Sequence, residues 1–374
     1  MPDPDTLDAL ETPAAVVDVD RMRDNLRRAG EYCHAHGLGW RPHTKTHKIA
    51  ALAAEQVRAG AIGVTVATPR EAEVMAQTVD DLLLAYPPLG RSKLDRLMAL
   101  PGRVRLTVGL DSAEALEGLA DAARAAGRRV GVLVEFDAGM RRVGVPSPEA
   151  AVALARRASE LDGVEYRGAM YYPGHVRVPG AAQDAPLAAL AATVGRFVDA
   201  LGEAGLPAEV VSGGSTPTFW RSHEVEGTTE VRPGTNIFND RTTFEVGACD
   251  WEQVAYSVLA TVVSTAVPGQ AVIDAGAKAL ARDPLPTGTP GLGALLDRPE
   301  VLVSSVSEEH GILDLSATDW RPRVGARVRV MPNHVCVSVN LQERLWGIQG
   351  DSIVEEWAVE GRGRARYDAL STGV

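Results

Sequence analysis

The most constraining feature of this sequence is a regular alternation of short apolar runs with amphipathic segments, which continues to about Asp240. The runs are rich in valine and leucine, and the segments between them carry apolar residues three and four positions apart, as helices with one buried face do. Near-continuous apolar strands are typical of parallel sheets covered by helices, so the alternation predicts a parallel (β/α)8 TIM-type barrel. The eight predicted strands are Leu38–Thr44, Gly63–Thr68, Asp81–Tyr86, Arg105–Asp111, Val130–Asp137, Val164–Tyr172, Ala208–Ser212 and Thr229–Phe238.

A different pattern begins after Asp240. Short β-type runs follow one another with Gly/Pro-rich turns between them, which predicts an all-β domain. We therefore expect a (β/α)8 barrel domain over residues 14–240 and a β domain over residues 241–374, with residues 1–13 as a segment that could pack with the latter. The predicted β runs are Ala255–Val267, Gln270–Ile273, Val301–Ser305, Ala326–Met331, Val335–Leu341 and Asp351–Ala358.

Composition limits the possible partners and compartments. The net charge of −11 argues against nucleic acid or an anionic membrane as the main partner. We find no apolar stretch long enough to span a bilayer, and the acidic N-terminus does not resemble a signal peptide. The three cysteines, Cys33, Cys249 and Cys336, do not make a disulfide framework. These features predict a cytoplasmic protein with no nucleic-acid or membrane partner.

The first predicted strand leads into the sequence RPHTKTHK, residues 41–48. If the strand continues, Arg41, His43 and Lys45 share one face because side chains alternate along a strand. A lysine held among other cations is poised for Schiff-base chemistry, since neighbouring positive charge and burial both free its amine. A basic surface turn is the alternative interpretation, and the position of Lys45 in the predicted barrel argues against it.

Active sites of such barrels lie at the carboxyl ends of the strands. Polar residues follow the predicted strands at Lys45, Thr68, Tyr86, Asp111, Asp137, Tyr172 with His175, Ser215 with Thr216, and Arg232 with Asn236. Any one of them could be an ordinary loop residue, but their shared position at one rim favours a site.

A phosphate site is predicted after the seventh strand. The segment Ser212–Thr218 contains two adjacent glycines, which are followed by the hydroxyl residues Ser215 and Thr216. Pro217 comes next and suits the first turn of a helix. A glycine-serine turn alone is weak evidence, but the loops after strands seven and eight are the usual phosphate cradle of this barrel. A lysine on the first strand and a phosphate site on the seventh together predict pyridoxal 5'-phosphate (PLP).

The second candidate site lies in the β domain, at His334 and Cys336. Two residues apart on a predicted strand, both side chains would point to one face. Imidazole and thiolate suit a divalent transition metal, above all zinc, and two protein ligands would leave positions open for substrate. A buried cysteine beside a core histidine is the alternative, and the pair alone does not decide between them.

With these motifs in hand, the chain resembles the D-threonine aldolase/D-serine dehydratase family of PLP-dependent fold-type III (alanine racemase-like) enzymes over nearly its whole length. The resemblance rests on Arg41–Lys48, Asp137–Gly144, Gly213–Thr218, Arg232–Thr235, Asp274–Lys278, Ser307–Gly311 and Pro332–Cys336. One departure is Asn236, where the family pattern leads us to expect tyrosine.

The resemblance implies roles for particular residues. Lys45 would be the Schiff-base lysine, His175 a second catalytic base, and His334 with Cys336 the ligands of a divalent metal, zinc first and manganese or cobalt as alternatives. The implied cofactor-binding set is Lys45, His43, Arg142, Tyr172, Gly213, Gly214, Ser215, Thr216, Gly234 and Asn236. An ion pair between Asp137 and Arg142, and a Tyr172 that only packs beside the cofactor, remain open alternatives.

The resemblance also implies the reaction. Dehydratase-like members tend to carry cysteine as the second metal ligand and aldolases aspartate, so Cys336 favours β-elimination from a D-3-hydroxy amino acid, as in D-serine dehydratase, to a 2-oxo acid and ammonia. Retro-aldol cleavage to glycine and an aldehyde, as in D-threonine aldolase, is the alternative, and racemisation or non-catalytic PLP binding is more distant. By analogy with this fold type, we expect a homodimer.

Overall fold

The computed structural model describes residues 5–365 of the chain. Its internal contacts divide the chain into two compact units. The barrel unit contains Ala29–Gly234 and the described residues from Glu360 onward, and the β unit contains Thr235–Val359 together with the N-terminal segment through Arg28. Strand β1 (Ala14–Asp18) is therefore part of the β unit, although the sequence analysis assigned residue 14 onward to the barrel domain.

The barrel unit is built from alternating strands and helices. Helix α1 covers Val19–Ala35, of which only the part from Ala29 belongs to the barrel unit. Eight parallel strands follow: β2 (Gly39–Trp40), β3 (Val64–Val66), β4 (Asp81–Leu84), β5 (Arg105–Leu110), β6 (Val130–Glu135), β7 (Val164–Met170), β8 (Val210–Gly213) and β9 (Glu230–Val231). The helices between them are α2 (Ala50–Arg58), α3 (Pro69–Met75), α4 (Arg91–Met98), α5 (Ala113–Ala125), α6 (Pro148–Glu160) and α7 (Asp184–Glu203).

The eight strands form a closed ring. Each strand from β3 to β8 pairs with the next in chain order, and β9 pairs with β2. A parallel bridge between His43 and Thr65 joins the first and second strands of the ring. The predicted (β/α)8 barrel is therefore confirmed. Its first strand is shorter than predicted, because the chain turns into a 3-10 helix at Thr44–Thr46.

Local sequence explains where several barrel helices begin. The Thr68 hydroxyl accepts a hydrogen bond from the Glu71 N–H at 3.2 Å, and Pro69 occupies the first turn of α3. The Ser147 hydroxyl accepts a hydrogen bond from the Ala150 N–H at the start of α6 in the same way. Side-chain caps of this kind satisfy amide groups that have no partner within the helix. Each cap thereby places the end of the preceding loop at the barrel rim.

The β unit contains the remaining elements. Its strands after β1 are β10 (Tyr256–Ser264), β11 (Gln270–Ile273), β12 (Gly293–Leu295), β13 (Arg298–Val306), β14 (Gly311–Asp314), β15 (Arg327–Pro332), β16 (Arg344–Gln349) and β17 (Ser352–Ala358). Its short helices are α8 (Arg241–Glu245), α9 (Ala277–Leu280) and α10 (Val335–Leu341). The sheet order is β11-β14-β13-β12-β15-β10-β1-β16-β17, and β11 also pairs with β10, which closes six strands into a small barrel. The predicted all-β domain is confirmed.

One predicted strand of the β unit is wrong. Val335–Leu341 forms helix α10, although its alternating valines suggested a strand. Val335, Ser338 and Val339 are buried at the i, i+3 and i+4 spacing of a helix. Burial of that face outweighs the strand preference of β-branched residues, which is weak and depends on context.

The expectation that no stretch could span a membrane also needs correction. The helical segment Gly180–Glu203 is long and apolar enough to qualify by length and composition. One such helix is weak evidence for a membrane protein. Its Leu187, Val194 and Phe197 belong to the apolar core of the barrel unit, which accounts for its composition.

Candidate functional site

Lys45 lies at the barrel rim, in the 3-10 helix that follows β2. Its backbone N–H donates to Nδ1 of His43 at 3.4 Å, so the histidine caps the turn that carries the lysine. The expectation that Arg41, His43 and Lys45 share one face of a strand is wrong, because the strand ends at Trp40. The lysine is half-buried and accessible to a ligand at the rim.

His43 is surrounded by positive charge. Burial lowers the pKa of its imidazole well below the usual range, and the charges of Lys45, Arg232 and Arg142 lower it further. His43 is therefore neutral at physiological pH. These four residues follow three strands, β2, β6 and β9, and their electrostatic coupling places them around one region of the rim.

Tyr172 stands between two of these cations. The Lys45 ammonium is 5.7 Å from the centre of its ring and the Arg142 guanidinium carbon 4.8 Å. Asp137, the alternative partner of Arg142, instead accepts hydrogen bonds from the N–H groups of Gly139 and Arg141, both at 2.9 Å. The aromatic ring therefore holds Arg142 at the rim, and Asp137 shapes the loop that carries it.

His175 lies on the exposed loop after β7. It packs against Gly139, where a Cβ atom would lie 3.1 Å from the imidazole Nε2. Gly139 has a φ of +113°, which disfavours any larger residue. The loops after β6 and β7 thus approach each other at His175, whose catalytic role stays a prediction.

The predicted phosphate loop is closely packed. A Cβ on Gly213 would clash with the Tyr171 ring, and Gly214 has a φ of +78°, so both positions favour glycine. Ser215 and Thr216 are buried, and the Thr216 hydroxyl accepts a hydrogen bond from the Gly234 N–H at 3.3 Å. The loops after β8 and β9 are therefore joined directly, as a phosphate cradle made from both would require.

The helix expected after Pro217 is only a 3-10 helix, Phe219–Glu224. Its N-cap is Thr218 rather than the residue before the proline. A phosphate held here would depend on backbone N–H groups and hydroxyls more than on the dipole of an α-helix. The residues present nevertheless fit the phosphate end of PLP, because Gly213 and Gly214 carry no side chains and stand beside two buried hydroxyls.

Asn236 lies just beyond β9 in the 3-10 helix Thr235–Ile237 of the β unit. Its side chain is buried, and its Oδ1 atom has no hydrogen-bond partner among the residues that the structure describes. A buried acceptor without a donor costs free energy unless a ligand or water supplies one. Its predicted role as a cofactor contact remains a prediction.

The two predicted metal ligands are neighbours in the β unit. His334 is the N-cap of α10 and Cys336 lies in its first turn, so a helix start rather than a strand brings them together. A side-chain hydrogen bond to Cys336 raises the pKa of His334 to about 9. Burial opposes this shift, and the charges of Asp240 and Asp283 add to it. A divalent metal would take the place of the shared proton.

Carboxylates surround this pair. Asp283 Oδ1 lies 3.7 Å from His334 Nδ1, and the buried Asp240 accepts the N–H of Val335 at 2.9 Å. Within residues 5–365, no group of three or more His, Cys, Asp or Glu side chains is arranged to hold a metal ion. His334 and Cys336 are donor types that zinc binds, and Asp283 lies close enough to influence the orientation of the imidazole; their role as metal ligands stays a prediction.

Arg232 lies among the candidate site residues, although the sequence analysis assigned it no role. It is buried at the end of β9 and donates to the Ser212 hydroxyl at 2.6 Å and to the Tyr171 carbonyl at 2.8 Å. Burial lowers the pKa of its guanidinium, and Glu135 and Glu230 oppose that shift. The sequence did contain a signal for Arg232: an arginine that ends an apolar barrel strand lies at a buried position, where a charged side chain is unusual.

Comparisons with known proteins agree with this geometry. Residues 17–242 match the family described as alanine racemase, N-terminal domain, and residues 255–348 match a putative serine dehydratase domain. The chain is 35% identical to D-threo-3-hydroxyaspartate dehydratase of Delftia sp. (strain HT23) over 94% of this chain and 98% of that protein. It is 30% identical to 3-hydroxy-D-aspartate aldolase of Paracoccus denitrificans (strain Pd 1222), over 95% and 93% respectively.

Solved structures of a D-threonine aldolase and a D-threo-3-hydroxyaspartate dehydratase also superimpose on this chain. D-threonine aldolase from Filomicrobium marinum superimposes with a TM-score of 0.89 at 31% identity, covering 96% of this chain and 97% of that one. The Delftia dehydratase superimposes with a TM-score of 0.87 at 33% identity, covering 97% and 99%. A cysteine-to-alanine variant of the Delftia dehydratase is known in a metal-free form.

Proposed function

This chain belongs to the D-threonine aldolase/D-serine dehydratase family of alanine racemase-like, PLP-dependent lyases, and on that premise we propose that it eliminates water from a D-3-hydroxy amino acid. The products would be a 2-oxo acid and ammonia. The observation that carries the proposal is Cys336 beside His334 at the start of α10. A thiolate-imidazole pair selects zinc-like ions and fits an elimination that needs a Lewis acid.

The barrel unit supplies the cofactor-binding residues of this proposal. The segment Gly213–Thr216 and Gly234 would hold the phosphate, while Tyr172 and Arg232 would flank the ring. PLP, when bound, supplies an electron sink for the pair released at the substrate Cα. The Lys45 amine lies at the same rim and would hold the cofactor aldehyde in the resting enzyme.

Proton movement falls to this chain's own side chains. Lys45 Nζ, once displaced by substrate, is the group we expect to take the Cα proton. His43 stays neutral and caps the lysine turn, so it fixes Lys45 without competing for that proton. His175 is exposed and able to exchange protons with solvent.

His334 and Cys336 would hold the divalent ion. Such an ion supplies Lewis acidity to the substrate's β-hydroxyl, which is otherwise a poor leaving group. We propose zinc as the metal because sulfur and imidazole ligands suit it. By analogy with the fold type, we also propose that the active enzyme is a homodimer.

Product analysis tests the proposal. The purified enzyme, supplied with PLP and zinc, manganese or cobalt in turn, is incubated with D-serine, D-threonine and D-threo-3-hydroxyaspartate, and with their L-enantiomers as controls. We expect 2-oxo acid and ammonia from D-substrates only. Glycine and an aldehyde as the main products would refute elimination in favour of aldol cleavage, and turnover of the L-enantiomers would refute the assigned stereochemistry.

A further inference from the structure

A chain of buried polar side chains runs through the interior of the barrel unit and ends at Arg232. Arg41 donates from Nε to both carboxylate oxygens of Glu230, at 3.0 and 2.9 Å, and from Nη1 to Asp81 at 2.5 Å. The Ser212 hydroxyl donates to Glu230 Oε1 at 2.6 Å and accepts from Arg232 Nη1 at 2.6 Å. An arginine can only donate and a carboxylate can only accept, so the direction of each of these hydrogen bonds is fixed.

The arrangement determines which charges neutralise each other. Arg41 occupies both oxygens of Glu230, so the Glu230 carboxylate is paired with Arg41 and touches Arg232 only through the Ser212 hydroxyl. Arg232 itself donates to two neutral acceptors, Ser212 and the Tyr171 carbonyl. Among the residues that the structure describes, Arg232 therefore forms no direct ion pair, and the carboxylates of Glu135 and Glu230 act on its charge only from a greater distance.

Stability alone does not explain this series of buried hydrogen bonds. Desolvating buried ions costs several kcal/mol each, and apolar residues of similar volume are often as stabilising. Elsewhere in the same barrel interior, Leu83, Leu133 and Met170 form an apolar cluster. The fold also makes room for the ions, since a Cβ on Gly63 would lie 2.5 Å from Arg41 Nη1.

The series of hydrogen bonds ends at Arg232, which lies at the candidate cofactor site. Arg232 contributes to the electrostatic environment of His43, which caps the Lys45 turn. Two of its five N–H donors are used by Ser212 and Tyr171, and both bonds restrict the orientation of the guanidinium plane. The remaining donors suit an acceptor on a bound ligand.

We infer that Arg41, Glu230 and Ser212 are positioning residues that hold Arg232 in one orientation, without a direct ion pair, beside the bound cofactor. Arg41 keeps Glu230 engaged, and Ser212 transmits the restraint to Arg232. Without Arg41, Glu230 would be free to form a direct ion pair with Arg232 and turn its guanidinium away from the cofactor. The inference rests on the proposed function, because it requires PLP to bind in the barrel unit.

The test compares three variants with the wild-type protein: Ser212→Ala, Arg41→Met and Arg105→Ala. Each is stripped of PLP and titrated with it, and the absorbance of the bound cofactor is recorded from pH 6 to pH 10. The melting temperature of the PLP-free protein is measured in parallel. Arg105 is the matched control because it contacts the same Asp81, at 3.0 Å, but is 75% exposed and lies outside the chain of bonds.

We expect Ser212→Ala to bind PLP at least about tenfold more weakly and to shift the pH dependence of the cofactor absorbance, a spectral change that a purely structural role would not produce. The melting temperature of the PLP-free variant should also fall, because two buried hydrogen bonds to charged groups are lost. Arg41→Met should show the same spectral change, and Arg105→Ala should not. If Arg41→Met does not fold, Ser212→Ala decides alone. An unchanged PLP affinity and spectrum in Ser212→Ala would overturn the inference and leave the proposed function intact, whereas a wild-type protein without PLP absorbance would refute both.

Discussion

The guanidinium carbon of Arg142 lies 4.8 Å from the centre of the Tyr172 ring, and the Lys45 ammonium approaches the same ring at 5.7 Å. Two cations that would otherwise repel each other thus share one aromatic side chain. Each contact is worth roughly 0.5–2 kcal/mol, depending on how far the cation is desolvated. Tyr172 consequently organises the positive side of the candidate cofactor site.

Replacing Tyr172 tests this organisation. Tyr172→Leu should weaken PLP binding by roughly 2- to 30-fold, which corresponds to the loss of one cation–π contact of about 0.5–2 kcal/mol. Tyr172→Phe is the matched control and should bind PLP nearly as well as the wild type, because it keeps the aromatic face. Equal losses in the two variants would show that the phenolic oxygen, rather than the ring, carries the effect.

Replacing Lys45 tests the Schiff-base assignment. Lys45→Ala should lose the visible absorbance of the bound cofactor and reduce 2-oxo acid formation by at least about a thousandfold, within the range that proton-transfer groups contribute. Lys45→Arg should not restore either property, because a guanidinium stays protonated. Lys93, which faces Tyr86 at 5.1 Å, provides a control. Lys93→Ala should keep the absorbance, and a Lys45→Ala variant that kept it would end the assignment.

Metal removal tests the second site. Exhaustive chelation should reduce turnover by about a hundredfold or more and leave the PLP absorbance, because different residues bind the two groups. Cys336→Asp should move metal preference from zinc toward manganese and increase aldehyde release relative to 2-oxo acid. Cys249, which donates to Thr243 at 3.5 Å, is the control cysteine, and Cys249→Ala should leave metal content unchanged. Full activity in protein shown to contain no metal would contradict the assignment.

The close packing of Gly213 in the predicted phosphate loop against Tyr171 can be tested by mutation. Gly213→Ala should lower stability by about 1–3 kcal/mol, the usual cost of overpacking, and weaken PLP binding, because the new methyl group would clash with Tyr171. Gly195→Ala in α7 is the control, since nothing lies within 4 Å of the new Cβ. That variant should be more stable by up to about 1 kcal/mol. Chemical denaturation and PLP titration of both variants would check the contrast.

His47 predicts a pH-dependent loss of stability. Burial lowers the pKa of His47 to about 4, while the unfolded chain keeps the ordinary value near 6.5. Below pH 6.5 the unfolded state therefore binds a proton that the folded state does not, so stability falls as pH drops from about 6.5 to about 4. The full effect is roughly 3 kcal/mol at about 1.4 kcal/mol per pKa unit.

The measurement is the free energy of unfolding of the cofactor-free protein at pH 7.5 and pH 4.5. His47→Asn removes the titrating group and keeps an acceptor for the Ile49 N–H that His47 Nδ1 now accepts at 3.1 Å. The variant should lose less stability between the two pH values than the wild type does. The same pH dependence in both proteins would show that carboxylates, not His47, dominate acid unfolding.

The sequence by itself determined the barrel, the order of its strands and the rim at which Lys45, Tyr172 and Thr216 meet. These features follow from local periodicity, and the topology of a parallel barrel then brings the strand ends together whatever the loops do. His334 and Cys336 were also found from sequence, although the reason given for their proximity, a shared strand, was wrong. Short spacing keeps two side chains close in more than one backbone conformation.

Only the tertiary structure decided the rest. Helix α10 replaced a predicted strand because burial of one helical face outweighed the local preference of its valines, and β1 joined the β unit by pairing with β10 and β16. The link from Arg41 to Arg232 joins residues 191 positions apart in sequence through Glu230 and Ser212. Periodicity reports which face of an element is buried, but the partner that a buried charge meets depends on the packing of distant segments.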